Sequence, residues 1–249
     1  MVLDLSREDV RGYIFHAISS ILSRCNINPS RLDRNEFIYC LFHSANIEYV
    51  KWDMNRPLTE VYSVAAGNGE VSQAEISHRY VLGMYELQDR LVKAFPHILL
   101  ENCASGGGRF DPGMLYYSPQ IWCSDNTDAL VRMKIQYGTS LGYPARVIGA
   151  HVSTVPNHIT GNTTRLRTRA FVAMSGTYGY ELDISACSPN DLLKFQKEIN
   201  FYKSIAPIVR FGDLYRLWDP FKVSGIQLSN YRCYLFGLGY IGGLDVCES

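Results

Sequence analysis

The chain has 249 residues and equal numbers of acidic and basic side chains, 24 of each, so its formal net charge is zero. Hydrophobic residues make up 47% and charged residues 19%, which is typical of a globular protein with a sizeable core. The neutral balance argues against nucleic acid as the main partner, and no run of apolar residues is long enough to cross a membrane. The first residues lack the basic start and apolar stretch of a signal peptide, so the compartment stays open. Seven cysteines without a CxxC pair predict neither a zinc site nor a disulfide framework.

Hydrophobic periodicity and turn residues predict helices that alternate with short strands along the chain. Five strands separated by helices favour parallel βα units and an α/β fold class. A complete (β/α)8 TIM barrel takes about 250 residues, yet only five strands are counted, so either the barrel is incomplete or the sheet is smaller. The predicted elements are helix 7–23, strand 47–52, helix 73–94, strands 97–101 and 120–123, a helix within 127–143, strand 145–150, a helix within 164–174, strand 179–184 and a helix within 190–209.

Polar side chains follow the predicted strands, and the first strand ends in the sequence "YVKWDMNR". Because side chains alternate faces along a strand, Lys51, Asp53 and Asn55 can share one side. Burying a carboxylate beside an ammonium costs free energy, which is tolerated where the pair serves a function. The pair can be a structural salt bridge at a strand end, or a charged nucleophile held by a cation.

Two carboxylates end two strands of the predicted sheet, Asp53 and Asp125. Two carboxylates that face one cavity are the arrangement of glycoside hydrolysis, in which one attacks or activates water and the other donates a proton. Lys51 beside Asp53 favours the ionised form that a nucleophile requires, and Asp128 near Asp125 favours the protonated form that an acid requires. Asp128 itself is the alternative candidate for the acid.

Four stretches of the chain resemble α-galactosidases of glycoside hydrolase family 36. They are "YVKWDMNRPLTE", "ILLENCASGGGRFDPGMLYYSPQIWCSDNTDA", "HVSTVPNH" and "RTRAFVAMSGTYGYELD", and the resemblance covers residues 2–24 and about 46–222. It implies a retaining hydrolase of terminal α-galactosides such as melibiose and raffinose, without cofactor or metal, in a homo-oligomer, a tetramer. Within the family, an α-N-acetylgalactosaminidase or a galactosyl transferase is the alternative activity, and a non-catalytic remnant is the alternative class.

The resemblance also implies roles for individual residues. Asp53 in "KWDMN" would be the nucleophile and Asp125 in "SDNTD" the acid/base. Lys51 and Asn55 would hold sugar hydroxyls, and Cys103 in "ENCASGGG", with its glycines, would line the sugar subsite. A cysteine is usually a small buried hydrophobe, but the place of Cys103 after a strand and before Gly106 favours the subsite. Strand parity predicts that Trp52 packs behind the strand. The candidate substrate-binding set is Lys51, Trp52, Met54, Asn55, Cys103 and Gly106.

The family's domain order is a β-sandwich, a (β/α)8 barrel and a small C-terminal β-sandwich. The resemblance implies that residues 1–210 are the C-terminal part of the barrel, about five βα units, interrupted by a non-family insertion at 25–45. Residues 211–249 would start the C-terminal β-sandwich with a divergent tail. The first three barrel strands would be missing, so we expect the chain alone to hydrolyse α-galactosides poorly. The sequence "NHITGN" at 157–162 also differs from the "NHQTGR" that the family predicts.

Overall fold

The computed structural model describes residues 4–24, 47–53, 55, 61–63, 72–216 and 219–221. The predicted insertion at 25–45, Met54 and most of the predicted sandwich segment at 211–249 lie outside these ranges. The chain divides into two compact units, Met1–Pro119 and Gln120–Ser249. No helix in the described ranges is long and apolar enough to cross a membrane.

The first unit pairs two parallel strands and packs them against helices. Its elements are α1 (Glu8–Arg24), β1 (Tyr49–Asp53), a 3₁₀ turn (Gln73–Glu75) that leads into α2 (Ile76–Ala94), β2 (Leu99–Cys103) and α3 (Pro112–Tyr117). Strands β1 and β2 run parallel, in register from Tyr49 opposite Leu99 to Asp53 opposite Cys103. Helix α2 buries its apolar stripe, and Gly83 is required on it because a Cβ there would lie 1.9 Å from the Leu5 carbonyl oxygen.

A buried polar network fixes which face of β2 meets helix α2. Gln88 of α2 donates a 2.9 Å hydrogen bond to the Asn102 side-chain oxygen, and Asn102 in turn donates to the Ser118 hydroxyl. All three side chains are buried, so their mutual hydrogen bonds offset the cost of removing them from water. Since neighbours in a strand point to opposite faces, Glu101 and Cys103 occupy the other face of β2.

In its described residues, the second unit contains three parallel strands and three longer helices. Its elements are β3 (Gln120–Trp122), α4 (Ala129–Thr139), a 3₁₀ turn (Ala145–Val147), β4 (Ile148–Ser153), α5 (Leu166–Met174), β5 (Thr177–Glu181), a 3₁₀ turn (Ile184–Ala186) and α6 (Pro189–Phe211). Trp122 of β3 lies opposite Gly149 of β4, and His151 of β4 lies opposite Gly179 of β5. Ala150 and Val152 point into the core formed with α5 and α6, which leaves Gly149 and His151 on the other face.

The predicted α/β class is confirmed, and the strands are parallel neighbours within each unit. The predicted strand bounds are displaced by up to three residues. Strands β1 and β2 are Tyr49–Asp53 and Leu99–Cys103 rather than 47–52 and 97–101. Strand β4 is Ile148–Ser153 rather than 145–150 because Pro144 starts a 3₁₀ turn, and β5 is Thr177–Glu181 rather than 179–184 because Asp183 caps the next 3₁₀ turn. Helix α3 was not predicted, although Asp111 at its N-cap and Pro112 at its first position are strong start signals.

Candidate active site

Asp53 ends β1 and lies opposite Cys103, the last residue of β2. Burial raises the pKa of the Cys103 thiol to about 11. The neighbouring Asp53 carboxylate raises this pKa further, whereas the Gly106 backbone and Lys51 lower it. At neutral pH the thiol is therefore protonated and a poor nucleophile.

Lys51 has a carboxylate partner that the sequence analysis did not single out. Its ammonium lies 3.6 Å from a carboxylate oxygen of Glu101, the residue opposite it on β2. Glu101 is fully buried, and its charge is therefore costly without a cation nearby. The cation that was expected to pair with Asp53 forms an ion pair with Glu101. One face of the strand pair carries Lys51, Asp53, Glu101 and Cys103.

The glycine-rich loop after β2 is fastened by Asn55. The Asn55 side-chain oxygen accepts a 2.9 Å hydrogen bond from the Ser105 backbone, and the Ser105 hydroxyl donates to the Asn55 carbonyl, also at 2.9 Å. Ser105 and Gly106 both have positive φ, and a Cβ on Gly108 would lie 2.6 Å from the Ala104 carbonyl oxygen. A sugar hydroxyl can accept a hydrogen bond from the Asn55 amide nitrogen while the amide oxygen holds the loop.

Two other members of the candidate set are placed differently from Asp53. Trp52 lies opposite Asn102, whose side chain faces α2, so strand alternation puts Trp52 on the side away from Asp53. Gly106 is buried within the loop, and its carbonyl accepts a 3.0 Å hydrogen bond from the Ala104 backbone. Met54 lies outside the described residues.

In the second unit, Asp125 follows β3 with its side chain exposed. The indole nitrogen of Trp122 donates a 3.1 Å hydrogen bond to Oδ1 of Asp125. The Trp122 ring is 3% exposed, stacks on His151 with ring centroids 4.6 Å apart, and lies 4.6 Å from the Arg132 guanidinium. His151 Nδ1 lies 3.5 Å from a carboxylate oxygen of Glu181. The exposed carboxylate of Asp125 is thus hydrogen-bonded to a buried, closely packed aromatic ring.

Asp128, the alternative acid, is the N-cap of α4. Its Oδ1 accepts hydrogen bonds from the backbone of Leu130 and Val131, and its Oδ2 accepts from Thr160 and Asn162. Burial raises the pKa of Asp128, but these hydrogen bonds outweigh it and hold the pKa below its ordinary value. A buried, ionised cap is unsuited to donating a proton, so this geometry favours Asp125 for that role.

The loop at residues 157–162, where the sequence differs from the family pattern, is held partly by the same carboxylate. The Asn162 side-chain nitrogen donates a 2.6 Å hydrogen bond to Asp128, and the Asn157 side chain donates a 2.9 Å bond to Thr127. Asn162 also begins the sequon Asn162-Thr163-Thr164, whose acceptor nitrogen is this same donor. The loop is therefore tied to the segment that carries Asp125.

Arg132 is a buried cation that the sequence analysis missed. Its side chain is 3% exposed and donates to the Ser124 carbonyl at 3.1 Å and the Gly149 carbonyl at 2.5 Å. Burial lowers the pKa of Arg132, partly countered by interactions with Cys123 and Glu181. It anchors the loop before Asp125 to β4. Arg132 lies within an ordinary amphipathic helix, and the neighbouring sequence does not indicate that its side chain is buried.

In each unit, the ionisable groups lie at the carboxyl ends of parallel strands. That is where enzymes of the (β/α)8 class carry their active sites. The described residues contain no group of three or more His, Cys, Asp or Glu placed to hold a metal ion. Parallel βα units with carboxylates at their strand ends define the class as an α/β protein consistent with part of a (β/α)8 barrel.

Comparison with known proteins gives the family. Residues 35–212 match the model of the Melibiase family, and the chain belongs to it. It is 50% identical over 222 residues to alpha-galactosidase AgaA of Geobacillus stearothermophilus, a match over 89% of this chain and 27% of that protein. It is 49% identical over 235 residues to alpha-galactosidase 1 of Pediococcus pentosaceus, covering 94% of this chain and 28% of that protein. The predicted resemblance is confirmed.

The fold agrees with a solved relative. The crystal structure of the GH36 alpha-galactosidase AgaA from Geobacillus stearothermophilus is similar with a TM-score of 0.76 and 49% identity, over 89% of this chain and 28% of that chain. The chain thus spans little more than a quarter of the length of the relatives it matches.

Proposed function

We propose that this chain carries catalytic groups of a retaining α-galactosidase, which hydrolyses terminal α-D-galactosyl residues of oligosaccharides such as melibiose and raffinose. The observation that carries the proposal is membership of the Melibiase family, with relatives named alpha-galactosidases at about half identity. AgaA variants have been crystallised in complex with stachyose and with raffinose.

Asp53 is the proposed nucleophile and Asp125 the proposed acid/base. Asp53 attacks the anomeric carbon, the glycosidic bond breaks, and Asp125 gives its proton to the departing oxygen. Water then gives a proton back to Asp125 and displaces Asp53, which restores both groups with the anomeric configuration retained. The complexed AgaA variants each replace an aspartate, and the spacing of those two aspartates matches that of Asp53 and Asp125 to within two residues.

The geometry around Asp53 supports the assignment. A nucleophile must be ionised, and Asp53 shares its face of β1 with the Lys51 ammonium and lies opposite Cys103. In this assignment Lys51 and Asn55 contact sugar hydroxyls, and Cys103 and Gly106 line the sugar subsite. Trp52 and Met54 complete the proposed set, with Trp52 acting from behind the strand.

A covalent label tests the nucleophile. The purified chain, and beside it a chimera in which it replaces the matching segment of AgaA, are treated with an activated fluoro-galactosyl reagent that traps the glycosyl-enzyme. Mass spectrometry should find the label on the peptide that contains Asp53. The Asp53→Asn variant should stay unlabelled, and the exposed control Asp213→Asn should label normally.

Other outcomes of this assay would contradict the proposal. A label on another carboxylate would remove Asp53, and a first product with inverted configuration would remove the retaining mechanism. Faster cleavage of N-acetylgalactosaminides would favour an α-N-acetylgalactosaminidase, and sugar transfer that outpaces hydrolysis would favour a transferase. Absence of any label in the chimera would favour a non-catalytic remnant.

The domain organisation and assembly are proposals too. We propose a barrel portion at 1–210 with an insertion at 25–45, and the start of a β-sandwich at 211–249. Helix α6 ends at Phe211 and the family match ends at 212, which supports the second boundary, while the match starts at 35, within the proposed insertion. Deleting 25–45 should leave soluble yield equal or better, and light scattering should find a homotetramer of the protein. A large loss of yield, or a monomer, would contradict these proposals.

A further inference from the structure

The hydrogen bond between Trp122 and Asp125 joins a buried aromatic ring to an exposed carboxylate. The indole nitrogen lies 3.1 Å from Oδ1 of Asp125. An indole N–H is a donor only, so Oδ1 accepts, and because the carbonyl oxygen of a protonated carboxyl accepts better than its hydroxyl oxygen, the bond favours the proton of Asp125 on Oδ2. The bond therefore distinguishes the two carboxylate oxygens from each other.

The ring that makes this bond is held on several sides. It stacks on His151 at a centroid distance of 4.6 Å with 24° between the planes, and the Arg132 guanidinium lies 4.6 Å from it. Arg132 is itself fixed by the Gly149 and Ser124 carbonyls. A Cβ on Gly149 would lie 3.2 Å from the Trp122 ring, so a larger residue opposite Trp122 would crowd the ring. Buried aromatic and cationic contacts of this kind restrict the rotation of the ring.

We propose that Trp122 is a positioning residue that holds Oδ1 of Asp125 by its indole N–H, so that Oδ2 carries and delivers the catalytic proton. This inference rests on the proposed function and deepens it. During glycosidic cleavage, the electron pair of the breaking C–O bond goes to the leaving oxygen, which takes the proton from Oδ2. Oδ1 keeps its hydrogen bond throughout, so the negative charge that develops on Asp125 meets a donor already in place.

The substitution that separates this role from simple packing is Trp122→Phe. Phenylalanine keeps an aromatic face for His151 and Arg132 but has no N–H. A matched control is Tyr116→Phe, which removes only the hydroxyl from an aromatic residue that is 81% exposed. Circular dichroism and the urea midpoint confirm that each variant folds.

Kinetics on the chimera with AgaA should show a loss that depends on the leaving group. General acid catalysis contributes about 10²–10⁴-fold, so kcat/KM for raffinose should fall by about 10–100-fold in Trp122→Phe. For a dinitrophenyl α-galactoside, whose leaving group departs without a proton, kcat/KM, which reports the first step of the reaction, should change by less than about threefold. Equal losses on both substrates, or no loss on either, would overturn the proposal.

A second measurement decides the proposal without turnover. The chain has 3 tryptophans, so the indole N–H signal of Trp122 is identified as the one that disappears in Trp122→Phe. That signal should move in the Asp125→Ala variant and its hydrogen exchange should quicken, whereas a signal that stays in place overturns the proposal. A parent chimera that cleaves neither substrate would contradict the proposed function, and the indole signal of the chain would still decide whether Trp122 holds Asp125.

Discussion

Replacing Asp128 should destabilise the second unit, because this one side chain joins helix α4 to the loop at 157–162. It caps α4 through the backbone of Leu130 and Val131, and it accepts hydrogen bonds from Thr160 and Asn162. The residue is only 2% exposed, so water cannot readily replace these partners in the folded state. We consider Asp128→Ala, which removes every bond, and Asp128→Asn, which keeps the cap.

The magnitude follows from the bonds lost. An N-cap is worth about 1 kcal/mol, and a hydrogen bond to a charged group about 1.5–3 kcal/mol. Because Asn162 is exposed and can bind water instead, the lower values apply, and Asp128→Ala should cost about 3–4 kcal/mol. Asparagine caps a helix as well as aspartate does, but its NH₂ group would face Thr160 and Asn162, which both donate to Asp128. Asp128→Asn should therefore lower the free energy of unfolding by about 2 kcal/mol.

The assay is urea unfolding over a range of pH. The pKa of Asp128 is lowered in the folded chain, so its contribution is complete above the ordinary value of 3.8 and is lost as pH falls through the folded value. The difference between wild type and Asp128→Ala should therefore be constant near neutral pH and shrink below about pH 4. The exposed control Asp213→Asn should stay within about 0.5 kcal/mol. A loss for Asp128→Ala no larger than that of the control, or one independent of pH, would refute the reasoning.

Three further predictions concern other parts of the fold. Iodoacetamide should alkylate Cys103 far more slowly in the native chain than in urea, since its pKa is raised to about 11, and equal rates would contradict the buried thiol. Burial raises the pKa of Glu198, so the wild-type chain loses stability as pH rises through that raised value. Glu198→Gln should therefore raise the melting temperature at neutral pH but not at a pH below the ordinary pKa of 4.5. A gain at both pH values would argue against this. Gly108→Ala places a Cβ 2.6 Å from the Ala104 carbonyl oxygen and should lower the melting temperature, whereas Gly142→Ala meets nothing within 4 Å and should not; equal effects would refute the steric argument.

Local patterns in the sequence determined much of this protein. Helical periodicity and turn residues predicted the long helices, and short apolar runs predicted five strands within a few residues of their places. Strand alternation alone put Lys51 and Asp53 on one face and Trp52 on the other. The motifs around Asp53 and Asp125 were long enough to identify the family. These features depend on neighbours along the chain, so they can be read without knowing the fold.

Only the tertiary structure decided which distant groups meet. The register of β1 against β2 places Glu101 beside Lys51 and Cys103 beside Asp53, and a shift of one residue would have turned each pair to opposite faces. Asp128 became a cap rather than an acid because a loop more than thirty residues away supplies its hydrogen-bond partners. The ionisation and role of a side chain are set by burial and by contacts across such distances, which the local pattern of a sequence does not encode.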